Sequence, residues 1–218
     1  MEYTRRTLLA GVAAGGVVGA AGCLGEDGPE SSDTGPYECE LEEPAALDAE
    51  FRAVIGDPDA DIVVQAFEDF TCEHCATYKL DHFPTIREEY VDPGTVRYEH
   101  WDFPIPVDED WAHAVPSAAR GVGVREGDEA FFAFASAIYE SFGEYDLESI
   151  GAAAEAAGDD PCAAMADAYH ESGHGALEAD REAGVSRGVD ATPTVLVDGT
   201  ATEDYGAETV AAAIDDAL

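Results

Sequence analysis

The sequence predicts an α/β fold in which a β-α-β unit and a β-β-α unit flank a block of helices. A short apolar run at 61–67 precedes a stretch with helical spacing and then an alternating segment at 95–101. Residues 108–188 consist almost wholly of helical segments separated by glycine or Asp-Pro breaks. A strand at 194–197, a turn, a second short strand and an amphipathic helix at 207–218 complete the chain.

The first unit begins with a run too short for a helix and too apolar for a solvent-facing strand. Residues 61–67, DIVVQAF, therefore predict a buried strand. The helical stretch that follows, residues 76–90, contains Pro84, where we expect a kink because proline lacks a backbone donor. An Asp-Pro-Gly turn then leads into TVRYEHW at 95–101, which is rich in strand-forming residues.

Five helical segments fill the middle of the chain, and glycine or Asp-Pro marks the breaks between them. Their predicted positions are 111–124, 129–142, 146–158, 161–172 and 175–188. After them, the run TVLV at 194–197 predicts a strand and Asp198-Gly199 a tight turn.

Acidic residues dominate the charge of the chain. The 218 residues include 48 Asp and Glu against 10 Lys and Arg, so the formal net charge is −38. This balance excludes electrostatic binding of nucleic acid, which needs a basic surface. Lys79 is the only lysine, Gln65 the only glutamine, and asparagine is absent. The composition resembles that of extreme halophiles such as haloarchaea, the alternative being an acidic protein of an ordinary organism.

The N-terminus has the features of an export signal. Arg5 and Arg6 precede a mildly apolar Ala/Gly/Val run, which resembles a twin-arginine (Tat) signal. The run ends in Ala20-Ala21-Gly22-Cys23, which looks like a lipobox in which cleavage precedes a lipid-bearing Cys23. An uncleaved membrane anchor and plain secretion are the alternatives. We expect a signal at 1–22, an acidic flexible tether at 23–43 and a folded domain at 44–218.

The chemistry of the sequence centres on Cys72-Glu73-His74-Cys75, a C-x-x-C between a predicted strand and a helix. One helical turn brings two such sulfurs within bonding reach, and the helix N-terminus stabilises a thiolate at Cys72. Cys75 lies a turn further in, where it can attack a mixed disulfide. A protonated His74 favours the thiolate, whereas Glu73 opposes it. Zinc sites also use C-x-x-C, but a structural zinc usually requires a second pair, which the sequence lacks.

A proline before a predicted strand strengthens the redox interpretation. Thr192-Pro193 lies just ahead of 194–197, where a trans proline is awkward. A cis proline there would turn a backbone edge toward the cysteines, ready to pair with an extended substrate chain. An ordinary loop proline is the alternative.

Residues 54–218 resemble the DsbA-like branch of the thioredoxin-fold thiol–disulfide oxidoreductases. The resemblance rests on 55–60, on 67–75 with the C-x-x-C, and on GVDATPT at 188–194 followed by Val197-Asp198-Gly199. It implies a thioredoxin fold with an inserted helical domain at about 105–188. It also implies Cys72 as nucleophile, Cys75 as resolving cysteine and Pro193 as a cis proline.

One position departs from the family pattern. Thioredoxin-like proteins often have a buried acid six residues before the first cysteine, where this chain has Ala66. The proton acceptor for the resolving cysteine is therefore open. Glu68 and Asp69 are the candidates, acting through water.

The remaining histidines predict little chemistry. His170-Glu171-Ser172-Gly173-His174 matches the zinc-protease pattern H-E-x-x-H. Zinc binding needs both histidines on one helical face, whereas Gly173 and Gly175 indicate that the helix ends here. We expect His82, His100 and His113 to be ordinary surface or partly buried residues.

The cysteine count leaves one further pair. Five cysteines, less a lipidated Cys23 and the redox pair, leave Cys39 and Cys162, and spare thiols outside the cell tend to pair. A free Cys39 and a simply buried Cys162 are the alternatives.

Together these features predict an exported, lipid-anchored thiol–disulfide oxidoreductase that needs no bound cofactor. Its partners would be extended segments of exported proteins, an unidentified redox partner, and the membrane through a lipid on Cys23. Oxidation is the expected direction, with reductase or isomerase activity as alternatives. A metal-binding or metal-delivery protein that uses the C-x-x-C pair, and a catalytically silent substrate-binding module, are the rivals.

Overall fold

The computed structural model describes residue 29, residues 31–105 and residues 107–218. The paired arginines and Cys23 lie outside the described residues, so the export signal and the lipid site stay predictions.

The described part of the chain contains five strands and eight α-helices, and the four strands that the sequence predicted occur in their expected order. The strands are β1 (Val54–Gly56), β2 (Ile62–Glu68), β3 (Val96–Asp102), β4 (Thr194–Val197) and β5 (Thr200–Ala201). The helices are α1 (Glu73–Thr77), α2 (Phe83–Ile86), α3 (Ala114–Glu126), α4 (Asp128–Tyr139), α5 (Leu147–Ala157), α6 (Pro161–Tyr169), α7 (His174–Ser186) and α8 (Ala207–Ala217). None of the described helices is both long and apolar enough to cross a lipid bilayer.

The strands form one mixed sheet in the order β1-β3-β2-β4-β5. The central strand β2 runs parallel to β3 and antiparallel to β4, so the C-x-x-C that follows β2 leaves from the middle of the sheet. The sequence patterns did not predict β1, which pairs antiparallel with β3 at Ile55 and Tyr98. Three residues are too few to show the alternation of a strand, so only the neighbouring strand defines it.

The helix after the C-x-x-C is irregular around the predicted kink. Segments of π-helix, Tyr78–His82 and Arg87–Val91, lie on either side of α2. Pro84 has no backbone N–H and cannot donate to the carbonyl four residues earlier. The wider π-turn before α2 accommodates the missing hydrogen bond, and the helix continues into α2.

Two apolar clusters lie in the interior. The larger includes the inward side chains of the sheet and of the helical insertion, where the rings of Phe83 and Phe132 stack 5.8 Å apart. The smaller consists of Phe67, Trp101, Phe103, Val189 and Leu196, with Ile105 and Ala183 packed against it. Side chains of the helices therefore pack against those of the sheet. This packing fixes the position of β2 and that of the helices that cover the C-x-x-C.

The N-terminal segment packs on the domain from a lower residue number than the composition predicted. A 3-10 turn at Gly35–Tyr37 begins after the buried Thr34, and Tyr37 packs against the larger cluster. Cys39 forms a disulfide with Cys162 on α6, with their Cα atoms 5.3 Å apart. The predicted boundary at residue 44 is therefore too late, because the disulfide and an aromatic side chain attach the acidic segment to the helices.

The architecture is the predicted thioredoxin fold with an inserted helical domain. The β-α-β unit, the helices α3 to α7 and the β-β-α unit occur in the expected order. The inserted helices begin and end within a few residues of their predicted bounds, since glycine and Asp-Pro breaks were reliable end signals. Asp160, for example, caps α6 by accepting from the Cys162 N–H.

Candidate active site

Cys72 is the N-cap residue of α1 and lies at the surface end of the central strand. Its side chain is 7% exposed, and its carbonyl oxygen accepts from the backbone N–H groups of Cys75 and Ala76 at 3.0 and 3.1 Å. Cys72 and Cys75 are both free thiols. The first turn of the helix therefore starts at Cys72, and the N–H groups of His74 and Cys75 lie close to its sulfur.

Hydrogen bonds to the Cys72 sulfur favour its ionised form. Donation from the Cys75 thiol is the largest cause, and together with the Thr192 hydroxyl and the N–H groups of Cys75 and His74 it outweighs burial. The pKa of Cys72 falls to about 5. At neutral pH Cys72 is therefore a thiolate, the form of cysteine that acts as a nucleophile.

Cys75 has the opposite environment. It is fully buried, and its sulfur accepts the N–H of Asp69 at 3.4 Å. Burial raises the pKa of Cys75 well above its ordinary value, and the hydrogen bond to Cys72 and the charge of Glu68 raise it further. The pair thus combines a reactive, partly accessible thiolate with a protected thiol behind it.

The segment before β4 faces the cysteines. The peptide bond between Thr192 and Pro193 is cis. The Cys72 sulfur lies 3.4 Å from the carbonyl oxygen of Thr192, a contact that is a hydrogen bond only when the thiol is protonated, and the Thr192 side chain is buried beside it. Two segments that are far apart in sequence therefore meet at the reactive sulfur, as the sequence predicted from Pro193.

The ring of His74 contacts that of Tyr205. His74 is exposed, and its Nδ1 lies 2.9 Å from the hydroxyl of Tyr205. Its backbone N–H is among the groups that lower the pKa of Cys72. The effect of its imidazole on Cys72 stays a prediction.

Asp69 organises the loop between β2 and α1. Its Oδ1 accepts from the backbone N–H and the hydroxyl of Thr71, both at 2.7 Å, and its Oδ2 accepts from the N–H of Ile105 at 2.5 Å. Burial raises the pKa of Asp69 to about 6, and the charge of Cys72 adds to this although the hydrogen bonds oppose it. Asp69 therefore titrates near neutrality next to the cysteine pair.

Glu68 is a buried acid whose charge acts on Cys75. Ala66 is fully buried, so the carboxylate is missing where the family pattern has it. Glu68 is 1% exposed, and its charge raises the pKa of Cys75. Burial disfavours its charge, but Lys79, whose Nζ lies 3.0 Å from Oε1, and the bonded His100 hold the pKa of Glu68 below its usual range.

A line of buried charges continues away from Glu68. His100 contacts Glu68 through Nδ1 at 3.2 Å and Asp102 through Nε2 at 3.1 Å. Arg120 donates to Asp102 at 2.6 Å and also to Asp180, which binds Arg52 as well. The expectation that His100 is a surface or partly buried residue is wrong, because it is 2% exposed. Its burial is possible because both ring nitrogens lie within hydrogen-bonding distance of carboxylates.

Sequence reasoning missed Lys79 and Arg120 as parts of this network. Lys79 is 1% exposed, and its Nζ lies 4.4 Å from the ring centre of Phe83. As the only lysine of a chain with 48 acidic residues, it was an available signal. Arg120 offered no comparable signal, because only the packing of α3 on the sheet brings it to Asp102.

The H-E-x-x-H residues do not form a protease site. Helix α6 ends at Tyr169 and α7 begins at His174, so the two histidines are not on one helical face. The Nε2 of His170 lies 2.9 Å from the carbonyl oxygen of Leu41, whereas His174 lies beside His113 with ring centres 4.8 Å apart. The expected helix break at the glycines explains this separation. His82 and His113 are partly buried, as expected.

The chain matches proteins of disulfide chemistry over part of its length. It is 35% identical over 89 residues to the Bacillus anthracis protein named "Probable disulfide bond formation protein D", covering 40% of this chain and 39% of that protein. It is 34% identical over 47 residues to "Disulfide bond formation protein D" of Bacillus subtilis, covering 22% and 21%. The matches thus span about two-fifths or less of these relatives.

Two solved structures share the fold at low identity. BdbD from Bacillus subtilis, in its oxidised form, aligns with a TM-score of 0.69 and 19% identity over 80% of this chain and 96% of that chain. Chlamydia trachomatis DsbA aligns with a TM-score of 0.69 and 19% identity over 81% and 96%. A thioredoxin family model also matches residues 49–216, which include the sheet, the inserted helices and the C-x-x-C. The chain belongs to the thioredoxin family.

Proposed function

We propose that this protein is an exported, membrane-anchored thiol–disulfide oxidoreductase that exchanges disulfides with exported proteins through Cys72 and Cys75. The observation that carries the proposal is the asymmetry of the pair. Cys72 has a pKa of about 5 at the N-terminus of α1, whereas Cys75 is fully buried with a raised pKa. A reactive thiolate backed by a protected thiol is the arrangement that disulfide exchange requires.

In the oxidising direction, a substrate thiolate attacks the sulfur of Cys72 in a Cys72–Cys75 disulfide. The S–S bond between the two cysteines breaks, a mixed disulfide with Cys72 forms, and Cys75 leaves with the electron pair and takes up a proton. A second substrate thiolate then attacks the substrate sulfur, and Cys72 leaves as a thiolate. The substrate gains a disulfide, and the reduced pair needs an external oxidant, the unidentified redox partner.

The charge around the leaving group supports this direction. A thiol of low pKa leaves easily, and stabilising its thiolate stabilises the reduced protein, which makes the disulfide more oxidising. The hydrogen bonds that lower the pKa of Cys72 therefore favour oxidation of substrates. Reductase and isomerase activity are the alternatives, and peptide oxidation compared with insulin reduction separates oxidation from reduction.

Glu68 is the candidate proton store for Cys75. The carboxylate is buried and paired with Lys79, and its charge reaches the Cys75 sulfur. Asp69 is the second candidate, because its pKa of about 6 lets it hold or release a proton near neutral pH. Both act in place of the acid that is missing at Ala66, the proton passing through water.

We assign substrate recognition to the backbone beside Thr192. The carbonyl oxygen of Thr192 lies next to the reactive sulfur, just ahead of β4. An extended segment that pairs with this backbone would bring its own cysteine to Cys72, a mode of recognition that depends little on sequence. Such breadth suits an enzyme that oxidises many exported proteins.

Export and anchoring rest on the sequence. The twin-arginine pattern at Arg5-Arg6 and the lipobox ending in Cys23 support secretion followed by attachment of a lipid to Cys23. The acidic segment then connects the membrane to Cys39, where the disulfide attaches it to α6. The catalytic domain would thus face the outside of the cell. Mass spectrometry of the native protein should find a lipidated Cys23 at its N-terminus, and an intact Met1 would contradict the anchor.

The test is oxidation of a reduced peptide that contains two cysteines, in molar KCl, by the oxidised protein at equal concentration. We expect stoichiometric formation of the peptide disulfide with wild-type protein and none with Cys72→Ser. Metal content of the reduced protein, compared between wild type and a Cys72→Ser, Cys75→Ser variant, tests the rival metal-delivery role. Failure to oxidise the peptide, combined with rapid reduction of insulin by the reduced protein, would reverse the proposed direction.

A further inference from the structure

A second group of chemically active side chains lies where α6 and α7 meet the start of α3. It consists of His113, Glu171 and His174, whose ligand atoms all lie within 4.8 Å of one another. His113 precedes α3, His174 is the first residue of α7, and Glu171 lies in the short junction between α6 and α7. None of these residues belongs to the cysteine site.

The group includes two of the three motif residues of H-E-x-x-H but replaces the first histidine. His170 is engaged with the carbonyl oxygen of Leu41 at 2.9 Å, so its Nε2 is held away from the other two. His113 supplies the second imidazole instead, with its ring centre 4.8 Å from that of His174. The packing of α3 against the α6–α7 junction therefore assembles a His-Glu-His set that no linear pattern describes.

Three of the four ligands that a tetrahedral ion needs are already near one another. The Nδ1 of His174 lies 3.7 Å from Oε2 of Glu171, and Nε2 of His113 lies 3.4 Å from Oε1 of Glu178. Tetrahedral zinc holds nitrogen and oxygen ligands at about 2.0–2.2 Å, which places neighbouring ligand atoms about 3.3–3.6 Å apart. The Glu171–His174 spacing is therefore close to that around a bound ion, and the other ligand atoms, all within 4.8 Å of one another, would move closer together as an ion binds.

The backbone of the junction holds Glu171 and His174 at neighbouring positions of one turn. Glu171 adopts a left-handed backbone with a φ of 46°, and its N–H donates to the carbonyl of Ala168 at 3.1 Å. Its own carbonyl accepts the N–H of His174 at 2.9 Å. Glu171 and His174 are thus set by one tight turn, which limits the entropy lost when an ion binds.

The group is also open to solvent on one side. The side chain of His174 is 57% exposed, that of His113 24% and that of Glu171 11%. A pocket of about 370 Å³ is lined by His113 and His174, by Glu109 and Glu178, and by one cation, Arg181. An ion can therefore enter from solvent, where the two carboxylates attract cations and Arg181 opposes them in part.

We propose that His113, Glu171 and His174 form a binding site for a divalent transition-metal ion of the zinc type, with Glu178 or water as the fourth ligand. Two imidazoles and one carboxylate favour zinc-like ions, whereas magnesium and calcium prefer all-oxygen ligands. The bound ion would tie the start of α3 to the α6–α7 junction. This site is independent of the cysteine pair and of the proposed redox activity.

The test titrates the oxidised full-length protein with Zn²⁺ and Co²⁺ in molar KCl with excess Mg²⁺. Oxidation removes the two active-site thiols as ligands, and Mg²⁺ saturates the surface carboxylates. We expect one tight Zn²⁺ ion per chain, the intense visible absorption of tetrahedral Co²⁺, and a higher unfolding temperature with Zn²⁺. His174→Gln and His113→Gln should each weaken binding by more than about tenfold, the loss that even outer partners of a metal site cause.

Two other histidines provide matched controls. His82→Gln and His170→Gln remove an imidazole without removing a proposed ligand, so both should leave Zn²⁺ affinity within about twofold of wild type, which is under about 0.5 kcal/mol. Unchanged affinity in both His113→Gln and His174→Gln would overturn the proposal. So would binding that appears only in the reduced protein, which would place the ion at Cys72 and Cys75. A loss in His170→Gln as large as in His174→Gln would also overturn it, in favour of the linear motif.

Discussion

The sulfur of Cys72 lies 3.4 Å from the carbonyl oxygen of Thr192, although 120 residues of sequence separate them. The contact exists because β2 and β4 are neighbours in the sheet, with Phe67 opposite Thr194. The strand that ends before the cysteines and the strand that begins after Pro193 therefore open onto the same edge. A substrate chain on the Thr192 backbone would meet the reactive sulfur directly.

The pKa of Cys72 predicts the pH dependence of its alkylation. The rate of reaction with iodoacetamide should rise with a midpoint near pH 5, the pKa of Cys72, whereas Cys75 should not react. This pKa is below the value of about 8.5 for an unperturbed thiol. Ionisation of Cys72 therefore stabilises the reduced protein fully above about pH 8.5, and this contribution is lost as pH falls through about 5. A midpoint near 8.5 would contradict the assigned environment.

Two substitutions of Cys75 separate its hydrogen bond from its redox role. Donation from the Cys75 thiol is the largest cause of the lowered pKa of Cys72. Cys75→Ala removes the donor and should move the alkylation midpoint upward. Cys75→Ser retains a donor and should move it less, although both variants lack the resolving sulfur. Midpoints unchanged from wild type in both variants would assign the low pKa to the helix N–H groups instead.

The buried pair of Glu68 and Lys79 should behave as a coupled unit. Both side chains are fully buried, and Nζ lies 3.0 Å from Oε1. Removing one partner of a buried ion pair costs about 3–5 kcal/mol, because it leaves the other charge uncompensated. Glu68→Gln and Lys79→Met should each destabilise the protein by that order in denaturant unfolding.

The double variant provides the control for this pair. Glu68→Gln with Lys79→Met should lose much less stability than the sum of the single variants. Since Glu68 is also a candidate proton store, the double variant should release mixed disulfides more slowly even where it is stable. Additive single effects would show that the two charges act independently.

The disulfide between Cys39 and Cys162 should stabilise the oxidised protein. It closes a loop of 123 residues. A chain-entropy model gives about 4–5 kcal/mol for such a loop. A Cys39→Ala, Cys162→Ala protein should unfold at lower denaturant concentration than wild type while its peptide oxidation rate is retained. Two free thiols at these positions in the native protein, detected by alkylation and mass spectrometry, would contradict the bridge.

The acidic surface predicts that the fold depends on salt. With a net charge of −38, neighbouring carboxylates repel one another strongly at low ionic strength. The Debye length is about 3 Å at 1 M salt but about 10 Å at 0.1 M. Circular dichroism should therefore show loss of structure as molar KCl is dialysed away, with recovery on its return. An unchanged spectrum and unfolding temperature at low salt would contradict this.

The sequence predicted those parts of the fold that depend on local patterns. Apolar runs located β2 and β4, and glycine and Asp-Pro breaks located the inserted helices. It did not predict β1, because three residues carry no periodicity and only pairing with β3 defines them. The π-helical turns beside α2 also had no separate signal.

The candidate site also has one part that the sequence predicted and another that it did not. Cys72, Cys75 and the residues at Pro193 follow from a short pattern and its place after a strand. His100 lies on β3 in a stretch that reads as ordinary strand, and only its contacts to Glu68 and Asp102 show that it is buried. Long-range packing determines the buried charge network, and a single sequence contains no pattern for it.

Trapping of mixed disulfides tests the central claim most directly. Cys75→Ala protein, expressed with its own signal in molar salt, should accumulate covalent complexes with exported proteins through Cys72. Non-reducing gels should show these complexes, and dithiothreitol should dissolve them. The Cys72→Ala variant, with Cys75 intact, should form none, because Cys75 is buried. Complexes in the Cys72→Ala variant at the level of Cys75→Ala, or none in either, would contradict Cys72 as the nucleophile and Cys75 as the resolving cysteine.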